Sequence, residues 1–115
     1  MKPEPFTYAA KCVAVHDGDT VTLNVDLGFR LCQRGLAIRL NGINAPELNT
    51  DAGKAAQAWL ASRLLNQDVT LHSIMDRQEK YGRILGEIWL GDENVNMSLV
   101  AAGHAKYWDG KGARP

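Results

Sequence analysis

Three polar segments, residues 17–19, 39–47 and 80–83, carry side chains that could act together on a phosphate group. Hydrolysis of a phosphodiester needs a grip on the phosphate, an activated water and compensation of the charge that builds up on phosphorus. Carboxylates can hold a hard divalent cation, and arginines offer paired donors to phosphate oxygens. A glutamate beside the attacking water can accept its proton. The candidates of these types are Asp19, Arg39, Glu47 and Arg83.

Each of these segments also has an ordinary structural interpretation. Asp17-Gly18-Asp19 is first of all a hairpin signal, because glycine tolerates the positive φ of a tight turn. Arg39 could simply pair with a nearby carboxylate, Asp17 or Glu47, at a turn. Arg83 could be a surface residue at the start of a strand. Residue types alone leave both interpretations open.

The composition is that of one ordinary globular domain of 115 residues. The formal net charge is zero, from 13 basic and 13 acidic residues, so there is no overall electrostatic pull toward nucleic acid. We expect a single domain over residues 1–115, with its core in 6–108 and a loose tail in 109–115. Cys12 and Cys32 both fall in strand-like segments, and we expect buried free thiols rather than a disulfide. The sequence has no His/Cys cluster with zinc-site spacing.

The chain contains no apolar run of about 18 residues, so the sequence predicts no membrane span. The first residues, 1–5, lack the apolar stretch of a signal peptide. From this we expect a cytoplasmic location.

Alternating apolar residues predict five strands, and spacings of three and four predict two helices. In the third strand the apolar positions are Leu31, Leu36, Ile38 and Leu40. Five strands with a helix after the third and a short helix after the fifth predict a mainly β domain with α-helices, a five-stranded Greek-key barrel of the OB type. The predicted strands are 6–15, 20–27, 30–40, 69–75 and 84–90, and the predicted helices are 52–66 and 97–102.

Four motifs along the chain resemble those of the staphylococcal nuclease family. They are HDGDTV (16–21), RLNGINAPE (39–47), EKYGR (79–83) and VNMSLV (95–100) followed by Gly103. Each motif is weak alone, but together they span roughly residues 10 to 106 in the right order and spacing. The resemblance implies an OB-fold nuclease that uses calcium to hydrolyse DNA and RNA.

The resemblance also implies a role for each matching residue. Asp19 resembles the carboxylate that binds calcium directly, with Asp17 as a supporting neighbour. Asn44 and the backbone carbonyl of Ala45 fall at the other metal-binding positions. Glu47 resembles the residue that holds or deprotonates the attacking water. Arg39 and Arg83 resemble the two arginines that clamp the phosphate. Lys80 and Tyr81 resemble residues that contact a terminal phosphate and the nucleotide.

The main departure from the family pattern is Asn44, where an aspartate is usual. An amide oxygen can ligate calcium but removes one negative charge, so we expect weaker calcium binding or preference for another divalent cation. The leading hypothesis is a monomeric, metal-dependent nuclease acting on DNA or RNA, single-stranded substrates included. The alternative is a barrel that binds nucleic acid or protein without catalysis.

Overall fold

The structure is a computed structural model in which residues 5–78 and 80–109 are described. Glu79 of the third motif and residues 110–115 of the predicted loose tail lie outside them. The strands are β1 (Thr7–Asp17), β2 (Thr20–Gly28), β3 (Leu31–Leu40), β4 (Ile43–Asn44), β5 (Asp68–Gln78), β6 (Ile84–Leu90), β7 (Glu93–Asn94) and β8 (Lys106–Tyr107). The helices are α1 (Asp51–Leu64) and α2 (Val95–Ala101).

The five long strands form a closed barrel in the order β3-β2-β1-β5-β6. All neighbours in this order are antiparallel, and β3 closes the barrel by pairing with β6 in parallel at Ile38–Leu40. α1 follows the first three long strands, and α2 follows the fifth. The predicted five-stranded OB-type barrel with two helices is therefore confirmed.

The core consists of alternating strand positions together with one side of α1. Val21, Leu23 and Val25 of β2 are almost completely buried, as the alternation predicts. Each such side chain contributes about 1.5–3 kcal/mol when it leaves water. In β3 the pattern holds only for the second half of the strand: Leu31, predicted as an inward apolar position, is 61% exposed. The reason is that this end of β3 belongs to a hairpin that projects beyond the barrel.

Side-chain caps fix the first residue of both helices. The Thr50 hydroxyl accepts a hydrogen bond from the Gly53 amide at the start of α1. α2 is capped by Asn94, whose side chain accepts from the Met97 amide. Asparagine is a common cap and Asn96 directly precedes the predicted helix 97–102, so the sequence predicts Asn96 as its cap; that prediction is wrong. Asn96 is fully buried and instead bonds the backbone of three residues: it accepts from Ile88 and donates to Asn41 and Gly86.

Both cysteines are free thiols, as expected, but only Cys12 is buried. Cys32 is exposed, because it lies in the projecting part of β3. Among residues 5–78 and 80–109, no helix has the length and apolar character needed to cross a membrane.

Candidate active site

The barrel topology gathers the three polar segments at one rim. Thr20, the first residue of β2, lies opposite Arg39 in the antiparallel ladder. Arg39 in turn lies opposite Leu85 in the parallel pairing of β3 with β6, two residues after Arg83. The β1–β2 turn, the end of β3 and the start of β6 therefore meet.

Asp19 is the buried carboxylate of this rim, with 8% of its surface exposed. Its Oδ2 accepts from the Ala45 amide at 3.0 Å, and its Oδ1 accepts from the Thr20 hydroxyl at 3.3 Å. The Asp17 carboxylate accepts from the Asp19 amide at 3.0 Å, which fixes the turn. Burial raises the pKa of Asp19 and Asp17 raises it further, while the Arg39 guanidinium and the Ala45 amide act in the opposite direction.

Arg39 is buried beside Asp19, at 6% exposure. Its Nη1 donates to the Leu40 carbonyl at 2.8 Å, and its Nη2 lies 3.4 Å from Asp19 Oδ2. The same Nη2 donates to Asn44 Oδ1 at 3.4 Å. Trp108 lies against the guanidinium, with Cζ 6.0 Å from the ring centroid. A buried guanidinium held from several sides is a rigid donor group for an anion.

Arg83 joins the same network through Thr20. Its Nη1 donates to the Thr20 hydroxyl at 3.1 Å, and this hydroxyl donates onward to Asp19. Tyr81 is 67% exposed and its ring lies near two cations: Arg83 Cζ is 5.6 Å from the ring centroid, and Lys80 Nζ is 5.0 Å from it. This part of the rim therefore presents an aromatic face and two positive charges to solvent.

Glu47 lies two residues after Ala45, with its side chain exposed. Its backbone is fixed by Thr50, whose amide and hydroxyl both donate to the Glu47 carbonyl, at 3.0 and 2.7 Å. Gly53, buried in the first turn of α1, packs against the same carbonyl. A Cβ at position 53 would lie 1.8 Å from the Glu47 oxygen, so only glycine allows this approach.

Gly18 is required at its turn for a reason other than the predicted one. It is not among the residues with positive φ. Instead, a Cβ at position 18 would lie 2.7 Å from Ala45 Cβ and 2.8 Å from Ala56 Cβ. Close packing of the β1–β2 turn against the Ala45 segment and α1 therefore demands the glycine.

The structure thus brings most of the candidate residues together. Asp17, Asp19, Arg39, Asn44 and Ala45 share direct contacts, and Arg83 joins them through one hydroxyl. Sequence reasoning missed two contributors, namely Thr20 and Gly53. Thr20 stood inside the first motif but was interpreted only as a strand residue, and nothing local marked Gly53.

The donor types at this rim suit a hard divalent cation, which takes carboxylate, amide and carbonyl oxygens. Asp19 and Asn44 provide a carboxylate and an amide oxygen that both face Arg39 Nη2. The Arg39 guanidinium therefore lies next to both side-chain oxygens expected to bind the metal, Asp19 Oδ2 and Asn44 Oδ1. No group of three or more His, Cys, Asp or Glu side chains that could hold a metal ion is found within residues 5–78 and 80–109.

A closed OB-type barrel with two arginines and a buried aspartate at its rim defines a small domain suited to binding phosphate groups. Residues 37–113 match the family described as staphylococcal nuclease homologue. The chain belongs to this family.

Curated relatives agree with this assignment. The chain is 37% identical over 98 residues to a thermonuclease of Staphylococcus intermedius, covering 80% of this chain and 55% of the relative. It is 32% identical over 102 residues to a thermonuclease of Staphylococcus hyicus, covering 84% and 57%. It is 31% identical over 108 residues to an "uncharacterized endonuclease" of Escherichia coli, covering 87% and 65%. The chain therefore spans between about half and two thirds of these relatives' lengths.

Proposed function

We propose that this protein is a nuclease that hydrolyses phosphodiester bonds of DNA or RNA, single strands included, with calcium as its metal ion. The observation that carries the proposal is the continuous network from Arg83 through Thr20 and Asp19 to Arg39. It sets two guanidinium groups around one buried carboxylate, beside the turn that carries the exposed Glu47. The names of the relatives, thermonuclease and endonuclease, support the same activity.

In the proposed reaction, Arg39 and Arg83 hold the scissile phosphate and offset the charge that develops on its oxygens. Glu47 accepts a proton from a water molecule whose oxygen forms a bond to phosphorus. The bond from phosphorus to the leaving oxygen breaks, and that oxygen takes a proton from solvent. Lys80 and Tyr81 contact the neighbouring phosphate and nucleotide through charge and stacking.

Asp19, Asn44 and the carbonyl of Ala45 would hold the calcium ion, with Asp17 supporting the turn. The ion supplies positive charge next to the phosphate. Arg39 and Asp19 keep their relative positions through direct contact, at 3.4 Å, and through their separate backbone partners. The protein's own part is therefore to present a prearranged set of donors to the substrate.

One observation favours the alternative, a barrel that binds nucleic acid without cleaving it. Position 44 is a neutral amide that already accepts a hydrogen bond from Arg39. A cation bound there would receive one negative charge fewer than from an aspartate.

The test is digestion of fluorescently labelled single-stranded DNA and RNA with calcium and with EDTA. We expect cleavage that requires calcium and falls about a hundredfold or more in Arg83→Ala and in Glu47→Gln. Lys11→Ala is the matched control, because it removes an exposed charge from the middle of β1, away from the rim. If the wild-type protein cleaves neither substrate with calcium, magnesium or manganese, the nuclease proposal is wrong and the binding alternative takes its place.

A further inference from the structure

The far end of the β2–β3 hairpin projects from the barrel as an arm, here called the hairpin arm (residues 26–35). Every residue of the arm is exposed, although β2 and β3 continue to pair with each other along it. Nearer the rim the same two strands, at 20–25 and 36–40, are buried or half-buried. The arm therefore adds nothing to the core, and its side chains are free to meet another molecule.

The tip of the hairpin arm carries two residues that local folding disfavours there. Phe29 has φ of 53° and Arg30 has φ of 65°, between the paired residues Gly28 and Leu31. Two-residue turns with positive φ strongly favour asparagine and glycine, since side chains crowd the backbone in this conformation. Phe29 is also 97% exposed, so it gains nothing from burial. Neither turn geometry nor packing accounts for this pair of side chains.

Binding to another molecule explains Phe29 and Arg30 better than a role in folding does. An exposed aromatic ring next to a guanidinium is the combination with which proteins bind single-stranded nucleic acid, by stacking on a base and pairing with a phosphate. Arg34 adds a second exposed positive charge on the same arm. The only acidic residue among 26–35 is Asp26, whose carboxylate accepts from the Gly28 amide at 2.8 Å. The arm thus carries net positive charge on a chain whose formal net charge is zero.

We propose that the hairpin arm is a second binding site for single-stranded nucleic acid, with Phe29 stacking on a base and Arg30 and Arg34 contacting phosphates. This inference rests on the proposed nuclease function. Strands 2 and 3 form the surface on which OB folds bind oligonucleotides, and the arm extends these two strands. Gly28 lies eight positions after Thr20 of the rim, a distance of about 26 Å in an extended strand. Only a substrate of several nucleotides can contact the rim and the tip of the hairpin arm at the same time.

A second copy of the chain is the competing occupant. A mostly apolar cavity of about 210 Å³ at the base of the arm, bordered by Leu27 and Leu36, is large enough for a phenyl ring. However, Arg30 lies in the turn before β3 and Arg34 in the exposed first half of β3, and positive charges at such an edge oppose pairing with a like-charged copy. The charges of the arm complement a polyanion instead.

The test compares wild type with the double variant Phe29→Asn/Arg30→Gly. This change installs the preferred turn residues, so the variant should unfold at the same temperature as wild type or higher. Binding is measured in EDTA by fluorescence anisotropy with oligothymidylates of about 3 and about 16 nucleotides, the longer at the upper end of OB-fold site sizes. Lys54→Gln, which removes an exposed charge from α1, is the control.

We expect the variant to bind the longer oligonucleotide about tenfold more weakly, while its affinity for the shorter one is unchanged. The slope of log Kd against log salt should fall by about 0.7 for the longer oligonucleotide, since one phosphate contact is lost. The proposal is overturned if the variant and the wild type bind the longer oligonucleotide with equal affinity. It is also overturned if the wild type binds neither oligonucleotide.

Sedimentation equilibrium distinguishes the competing occupant. A wild-type dimer that the double variant converts to monomer, with no change in oligonucleotide affinity, overturns the proposal and assigns the arm to a second copy. Cleavage plays no part in these measurements, so the arm can be refuted while the nuclease stands. The binding measurements test the hairpin arm in the same way if the protein has no nuclease activity.

Discussion

Gly53→Ala should lower activity even though it removes a glycine from a helix. At an ordinary interior helix position this change stabilises a protein by about 1 kcal/mol. Position 53 is different, because the added Cβ would lie 1.8 Å from the carbonyl oxygen of Glu47 and 2.5 Å from its carbonyl carbon. Real Cβ atoms essentially never come closer than 3.0 Å to another heavy atom.

The size of the displacement follows from these distances. The Glu47 carbonyl and the start of α1 must separate by about 1.2 Å, the difference between 1.8 Å and 3.0 Å. The move also strains the two hydrogen bonds from Thr50 to the same carbonyl, at 3.0 and 2.7 Å. Misplacing a catalytic group by about 1 Å costs on the order of a hundredfold in rate. We therefore expect kcat to fall about a hundredfold, with no gain in thermal stability.

The assay is cleavage of labelled single-stranded DNA, read beside thermal unfolding followed by circular dichroism. Ala55→Gly is the matched control, since Ala55 is exposed in the same helix and its change should lower stability by about 1 kcal/mol without moving Glu47. The reasoning is refuted if Gly53→Ala gains stability and keeps full activity. It is equally refuted if Ala55→Gly loses as much activity.

Three further predictions concern single residues. Asn96→Ala should lower the free energy of unfolding in urea by about 3 kcal/mol, because three buried backbone groups lose their partner; a loss under about 1 kcal/mol would contradict this. In the native protein iodoacetamide should modify Cys32 alone, since Cys12 is buried and burial raises the pKa of its thiol; rapid labelling of both cysteines would be inconsistent with the fold. Asn44→Asp should tighten calcium binding about tenfold or more in titration calorimetry, and unchanged affinity would remove Asn44 from the ligand set.

Much of the barrel could be predicted because strand alternation and helix spacing are local signals. The ends of β2 and β6 were predicted within one residue, and α1 within two. Errors arose where a residue's environment depends on distant contacts. Leu31 fits the alternation of β3, but the barrel wall ends before it. The position of Asn96 before a predicted helix is typical of a cap, yet its side chain donates to the carbonyl of Asn41, which is distant in the sequence.

The candidate site was predictable to the extent that its residues stood in motifs. The geometry that joins them was not, because it depends on atoms that no short segment contains together. Gly53 looks like a poor helix residue until the Glu47 carbonyl is known to lie against it. Trp108 lies 69 positions after Arg39 in the sequence, and only the fold brings its ring to the guanidinium.

Asn44 determines how the charges of this site balance. A single nitrogen of Arg39 lies 3.4 Å from Asn44 Oδ1 and 3.4 Å from Asp19 Oδ2, so one guanidinium faces one carboxylate and one neutral amide. An aspartate at position 44 would place a second carboxylate beside Asp19, whose pKa is already raised by burial and by Asp17. Two desolvated carboxylates would then share the Arg39 nitrogen, which raises the free-energy cost of burying both in charged form. The amide therefore leaves one negative charge fewer at the rim, and we expect weaker cation binding as its consequence.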